Sequence, residues 1–284
     1  MTPILLLSLK LSVVAILLAI GMLTTRREIT YLWQRPKLLM RSLLTMYFLV
    51  PLVAILFVTL LPLAPSLKIA VFVLAISAGA PLLPKKLMGL GSDEYVLSLV
   101  VTASILAIFT VPAWATALGP LFGRDSQLAP VAVAIVIAQS FLVPLAIGMV
   151  FRRFFPAKAE VYADNILTVA NLVLTVSALL LLGANWQLIA KAGWPTLFAL
   201  AGLTLSALTV GHLMGGKEPG ERTVLAVSCA TRHIGLAILV AAAVPGPKTA
   251  VFVAAYIVSS AIVSIPYLKW QSKVNVASEK SSSE

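Results

Sequence analysis

Apolar residues in this chain neither alternate nor keep to one helical face; they run in unbroken blocks. Blocks near the 20 residues that cross a hydrocarbon core recur along the whole length, separated by short charged or Pro/Gly-containing connections. They predict about nine transmembrane helices, at roughly 4–24, 42–62, 67–83, 92–118, 128–151, 163–184, 194–215, 222–244 and 248–269, with no soluble domain between them. The first block is too long for a signal-peptide core and ends in Thr24-Thr25-Arg26-Arg27 rather than a small-residue cleavage site, so a retained helix is expected. The polar tail 271–284 is expected to be disordered.

Composition removes the alternative of a soluble fold. With 60% hydrophobic and 11% charged residues, a soluble domain has too little polar surface to cover itself, so lipid must do the covering. The net charge of +11 could point to nucleic acid, but in a membrane protein the position of the cations decides. Arg26, Arg27, Arg35, Lys37, Arg41, Lys85, Lys86, Arg152, Arg153, Lys158, Lys217, Arg222, Lys269, Lys273 and Lys280 fall on one side of a nine-span chain, and only Lys68, Arg124, Lys191 and Lys248 on the other. Fifteen against four places the amino terminus outside and the tail in the cytoplasm, with the basic residues facing anionic lipid rather than nucleic acid. Cys229 is the only cysteine, which excludes an intrachain disulfide and a cysteine metal cluster.

Two segments interrupt the pattern inside the membrane. In Ala78-Gly79-Ala80-Pro81-Leu82-Leu83-Pro84-Lys85-Lys86, two prolines and a glycine disfavour a straight helix where the third block should continue. Either the chain unwinds there around a protein-lined or water-lined cavity, or the helix ends at Pro81 and the lysines sit among headgroups. In Ser228-Cys229-Ala230-Thr231-Arg232-His233-Ile234-Gly235, an arginine and a histidine stand near the middle of the eighth block. An intramembrane arginine costs roughly 2.5–3.5 kcal/mol even on insertion scales and persists only beside a partner or a cavity. Arg232 is therefore the leading candidate for a solute site, the competing role being a clamp on unwound carbonyls. His233 reads either as a proton carrier or as a satisfied core histidine. Thr231, Ser228 and Thr102 are candidate hydrogen-bond partners of the solute, or ordinary interhelical contacts.

Breaks at corresponding places in two halves are the mark of an inverted-repeat transporter, in which half-helix ends meet near the midplane. Each broken run is next to last in its set, while 128–151 is left unmatched, as if one helix were missing at the amino end.

Several short stretches are similar to the bile acid:sodium symporter family. Gly21-Met22-Leu23-Thr24 followed by Trp33-Gln34-Arg35-Pro36-Lys37 resembles its Gly-Met-x-Leu and x-His-Pro-Lys elements. Ala80-Pro81 resembles its first crossing helix, and Ile234-Gly235-Leu236-Ala237 stands where its second carries Ser-Gly-Leu-Ala. The order and spacing hold over nearly the whole chain, starting at what would be the second helix of a ten-helix member. The resemblance implies an all-α polytopic membrane fold with inverted repeats and two discontinuous crossing helices. It also implies a core domain (about 42–118 and 194–269) that rocks against a panel domain (about 4–24 and 128–184), all within a single transporter domain over 1–270. The solute would lie near the crossing, with Pro81 and Arg232 beside it.

The departures bear on coupling. Sodium-coupled members carry Gly-Gly-Thr-Ala-Ser-Asn after the first crossing proline, where this chain has Leu82-Leu83-Pro84-Lys85-Lys86-Leu87. They carry Glu-Val-Gly-Met-Gln-Asn before Ser-Gly-Leu-Ala, where this chain has Ser228-Cys229-Ala230-Thr231-Arg232-His233. Sodium needs oxygen ligands and compensating negative charge, and the matching positions offer neither. A fixed guanidinium, joined to the positive ends of half-helix dipoles, would instead neutralise an anionic solute. The expected function is secondary transport of a small organic anion, as a uniport or linked to protons, across the plasma membrane, a bacterial inner membrane. A sodium-dependent bile-acid-like symporter, a channel and a non-transporting membrane sensor are the alternatives. No cofactor is expected, nor an enzyme: two histidines and no carboxylate inside a predicted span leave hydrolysis without its groups.

Overall fold

The computed structural model describes residues 2–77, 93–118, 130–216, 218–232, 237 and 248–282. Their regular structure is helical: α1 (Thr2–Leu23), α2 (Arg26–Tyr31), α3 (Pro36–Leu44), π1 (Thr45–Leu49), α4 (Val50–Leu60), α5 (Pro65–Ile76), α6 (Asp93–Leu118), α7 (Pro130–Ile137), π2 (Ala138–Leu142), α8 (Val143–Phe154), α9 (Pro156–Ala184), α10 (Trp186–Met214), α11 (Pro219–Thr231) and α12 (Lys248–Ser282). Among the described residues six helices are long and apolar enough to cross a membrane: Ile4–Leu23, Pro36–Leu60, Asp93–Trp114, Pro156–Ala184, Gly193–Met214 and Thr249–Val274. The protein is thus an all-helical, multi-pass membrane protein.

Large apolar side chains lie on the outside, as lipid requires. On the continuous helix from α3 to α4, Phe48, Leu52, Leu56 and Leu60 form an exposed stripe at helical spacing, while Val50, Pro51, Ala54 and Val58 are buried. Exposed tryptophans mark the helix ends, Trp33 and Trp270 at one end of the bundle and Trp186 and Trp194 at the other. The end that carries Trp33 is also tied by ion pairs, Arg27 to Glu94 (3.1 Å) and Arg35 to Glu221 (3.2 Å), and Arg152 there donates to the Met22 carbonyl at 2.9 Å. α2 is docked on α6 by the Leu32 N–H, which donates to the Ser98 hydroxyl at 3.0 Å.

Helix packing forms two groups. α1 runs along α8 and α9, and the closest approach is backbone to backbone. A Cβ on Gly21 would sit 2.1 Å from the Leu145 carbonyl oxygen, and one on Gly148 would sit 2.1 Å from that of Leu18. Only glycine permits that distance. In the second group α10 packs on α11 and α12, with α4 and α5 alongside. There Gly211 plays the same part, since its Cβ would meet the Ala226 Cα at 2.6 Å.

Among the described helices, α5 and α11 run inside the bundle without reaching across it. α5 has 12 residues and α11 has 13, so each rises roughly 18–20 Å of the ~30 Å core. α11 starts at the end of the bundle that holds the Arg35–Glu221 pair, whereas α5 starts at the opposite end, after α4. The third predicted run, 67–83, therefore stops early: α5 ends at Ile76, where the Ser77 N–H and hydroxyl both turn back to the Val73 carbonyl. Its expected break at Pro81 lies outside the described residues.

Other boundaries shift for identifiable reasons. α10 is kinked at Gly193, whose φ of +67° only glycine adopts easily, immediately before Trp194-Pro195. α9 begins at Pro156, not near 163, because proline suits a helix's first turn. Asp164, at the edge of the predicted run, lies eight residues into the spanning helix, about 12 Å from its start, and Asp93 and Glu94 open the span of α6, which corrects the reading that no carboxylate enters a span. α12 continues to Ser282, through the tail for which disorder is expected; Gln271 is buried and its amide donates to the Tyr267 hydroxyl at 3.4 Å. Extending a helix that is already packed costs far less than starting one.

Candidate functional site

The π1 turn is where the site begins. Pro51 has no N–H and disrupts the helix a turn before it; the chain responds with one extra residue per turn, so that the Val50 N–H donates to Thr45 rather than to Met46. The carbonyls of Met46 and Tyr47 are thereby left over inside the bundle. Each is taken by a distant side chain: Trp114 Nε1 donates to the Tyr47 carbonyl at 3.1 Å, and Arg232 Nη1 donates to the Met46 carbonyl at 3.3 Å. The Tyr47 hydroxyl continues the chain to α6, donating to the Ala103 carbonyl at 2.9 Å.

Arg232 stands where α11 stops. It has φ 42° and ψ 163°, and among the described residues it is the non-glycine residue with positive φ. Such a conformation costs of order 1–3 kcal/mol and marks a functional or clamped position. The side chain is 0% exposed, yet among the described residues Nε and Nη2 have no hydrogen-bond partner. Among the described residues the groups within electrostatic range of the charge are Tyr47, Tyr256 and Cys229, none of them a carboxylate. The bond to the Met46 carbonyl is a clamp between helices, and the two remaining nitrogens are donors that it leaves unused.

The neighbouring hydroxyls divide into two kinds. Many serine and threonine side chains in these helices bond back to the carbonyl four residues earlier, and Thr231 does so to Val227 at 2.8 Å. Thr231 is therefore satisfied internally. Ser228 and Thr102 are not: both hydroxyls are buried and unpartnered, as is that of Ser264. Ser228 is one turn before Arg232 on α11, and Thr102 adjoins the Ala103 that Tyr47 holds. The structure thus brings Arg232, Ser228 and Thr102 forward as unsatisfied buried groups and sets Thr231 aside. His233 and Pro81 lie outside the described residues.

Three residues enter the site that sequence reasoning passed over. Tyr47 and Trp114 hold the π1 turn, and the Tyr256 hydroxyl donates to the Ala230 carbonyl, which the end of α11 leaves without a helical partner. Their signals were a proline within an apolar run and a lone tyrosine in the middle of the last one. α5 and α11 both present carboxyl-terminal, negative ends toward the interior. The positive half-helix ends of the dipole expectation fall on segments outside the described residues.

Chemically Arg232 is a fixed positive charge with two free donor nitrogens, sealed from solvent. Among the described residues no three His, Cys, Asp or Glu side chains come together as a metal site. No curated protein matches the chain. A family model does, over residues 10–191, from within α1 into the first turns of α10, so that the α11 half of the site lies beyond the match. With well over half of its length matched, the chain belongs to the Sodium Bile acid symporter family.

Proposed function

We propose that this protein, a membrane transporter by family, carries a small organic anion by alternating access and without sodium coupling. The observation that carries the reading is Arg232: a buried guanidinium at a helix break, with one protein hydrogen bond and two idle nitrogens. An ion left in this state costs several kcal/mol unless something compensates it. A solute anion supplies both the opposite charge and the missing acceptors. Sodium would be repelled by the same charge.

The group of α1, α7, α8 and α9 serves as the panel, and the helices around α10, α11 and α12 as the core. Since Arg232 is closed to solvent, relative motion of the two groups gives the anion access from each side in turn. The amino terminus faces outward and α12 ends in the cytoplasm, in keeping with the distribution of basic residues.

The test is a thermal-shift screen of the purified protein against small carboxylates, steroid acids and oxyanions, in sodium and in potassium or choline. A ligand that binds only the folded state raises its melting temperature. The expected result is a stabilising anion whose effect is the same in either cation, followed by its counterflow in liposomes. A steep sodium dependence would return the protein to sodium-coupled symport.

A further inference from the structure

Arg232 is tethered at one corner. Nη1 is occupied by the Met46 carbonyl, while Nε and Nη2 are free. Those two nitrogens form one edge of the planar guanidinium, on which two N–H bonds run parallel and match a pair of oxygens in a planar anion. The tether comes from the backbone rather than from a side chain. In a regular helix the Met46 carbonyl would be taken by the Val50 N–H; here Val50 donates to Thr45, and Pro51, next in line, has no hydrogen to give.

We infer that Pro51 is a positioning residue: through the Met46 carbonyl it turns Arg232 so that its Nε–Nη2 edge receives a planar anion by two oxygens. The site therefore selects such anions over spherical ones. This rests on the anion reading above and adds a geometry to it. A lysine, or an arginine without its tether, would offer charge alone and distinguish poorly between a carboxylate and a halide.

The experiment titrates the full chain, purified in a chloride-free sulfonate buffer, with formate, nitrate, chloride and bromide, reading melting temperature. In the native protein formate and nitrate should bind at least about tenfold more tightly than chloride, as expected for one additional charge-assisted hydrogen bond. Arg232→Lys should retain chloride binding while the ratio falls to about twofold or less. Pro51→Ala, which returns the Met46 carbonyl to the helix, should lower the ratio in the same way with ligand-free stability kept or raised. Equal binding of formate and chloride by the native protein would overturn the fork but leave an anion site. An unchanged ratio in Pro51→Ala would remove Pro51 from the device, and one in Arg232→Lys would remove the fork. If no anion shifts the native protein at all, the anion reading itself is lost.

Discussion

Two π turns among the described residues share one pentapeptide, Phe-Leu-Val-Pro-Leu, at residues 48–52 and again at 141–145, and they serve different ends. In each the proline withholds an N–H and the residue before it reaches back five places, Val50 to Thr45 and Val143 to Ala138. At π1 the released carbonyls hold Trp114 and Arg232. Among the described residues no side chain is tied to the equivalent carbonyls of Gln139 and Ser140; π2 leads instead into the glycine contact of α8 with α1. Local sequence dictates the turn, and the long-range partner decides whether it serves packing or chemistry.

The packing turn is the more fragile of the two. Gly148→Val places a Cβ within 2.1 Å of the Leu18 carbonyl, a collision that only backbone separation relieves. Loss of about 3 kcal/mol or more is expected, seen as a collapsed yield of monodisperse protein, while any folded fraction binds anion normally. Arg232→Gln should do the reverse. Ligand-free melting temperature is kept or raised, because a poorly compensated charge has gone, while anion affinity falls about tenfold to a hundredfold, the equivalent of 1.5–3 kcal/mol. Unchanged affinity in well-folded Arg232→Gln protein would remove Arg232 from the site.

Smaller effects separate the two turns further. Trp114→Phe strips the Tyr47 carbonyl of its donor and should lower stability by about 1 kcal/mol in a thermal melt. Pro144→Ala heals the second π turn and should leave anion affinity within about twofold, under 0.4 kcal/mol. Exchanging sodium for potassium should have an effect no larger than that, and isothermal titration in the two salts would show it.

Legibility in the sequence depends on how far each signal reaches. The break at Arg232 was visible because one charge within apolar residues is costly whatever surrounds it. The short reach of α5 was half visible: the Pro81 region announced an interruption, but the turn at Ser77 that ends the helix has no strong marker. The state of the hydroxyls was not visible at all. Ser228 and Thr231 are three residues apart on one helix, and whether each bonds backward or stays free depends on a rotamer chosen by neighbours from α6, α10 and α12. Pro51 was plain in the sequence, yet the Met46 carbonyl it frees is bonded by Arg232, 186 positions along the chain, and spacing does not report such pairs.

The interlock of Gly21 and Gly148 limits how the helices can move. Each glycine faces a carbonyl oxygen of the other helix, so close that a side chain on either would overlap it. The contact behaves as a key in a slot: sliding either helix by one residue would drive Leu or Met backbone and side chains into the space that only glycine leaves open. α1 and α8 are thus barred from axial translation relative to each other and travel together. On the alternating-access reading proposed above, α1 and α8 would therefore move as one piece.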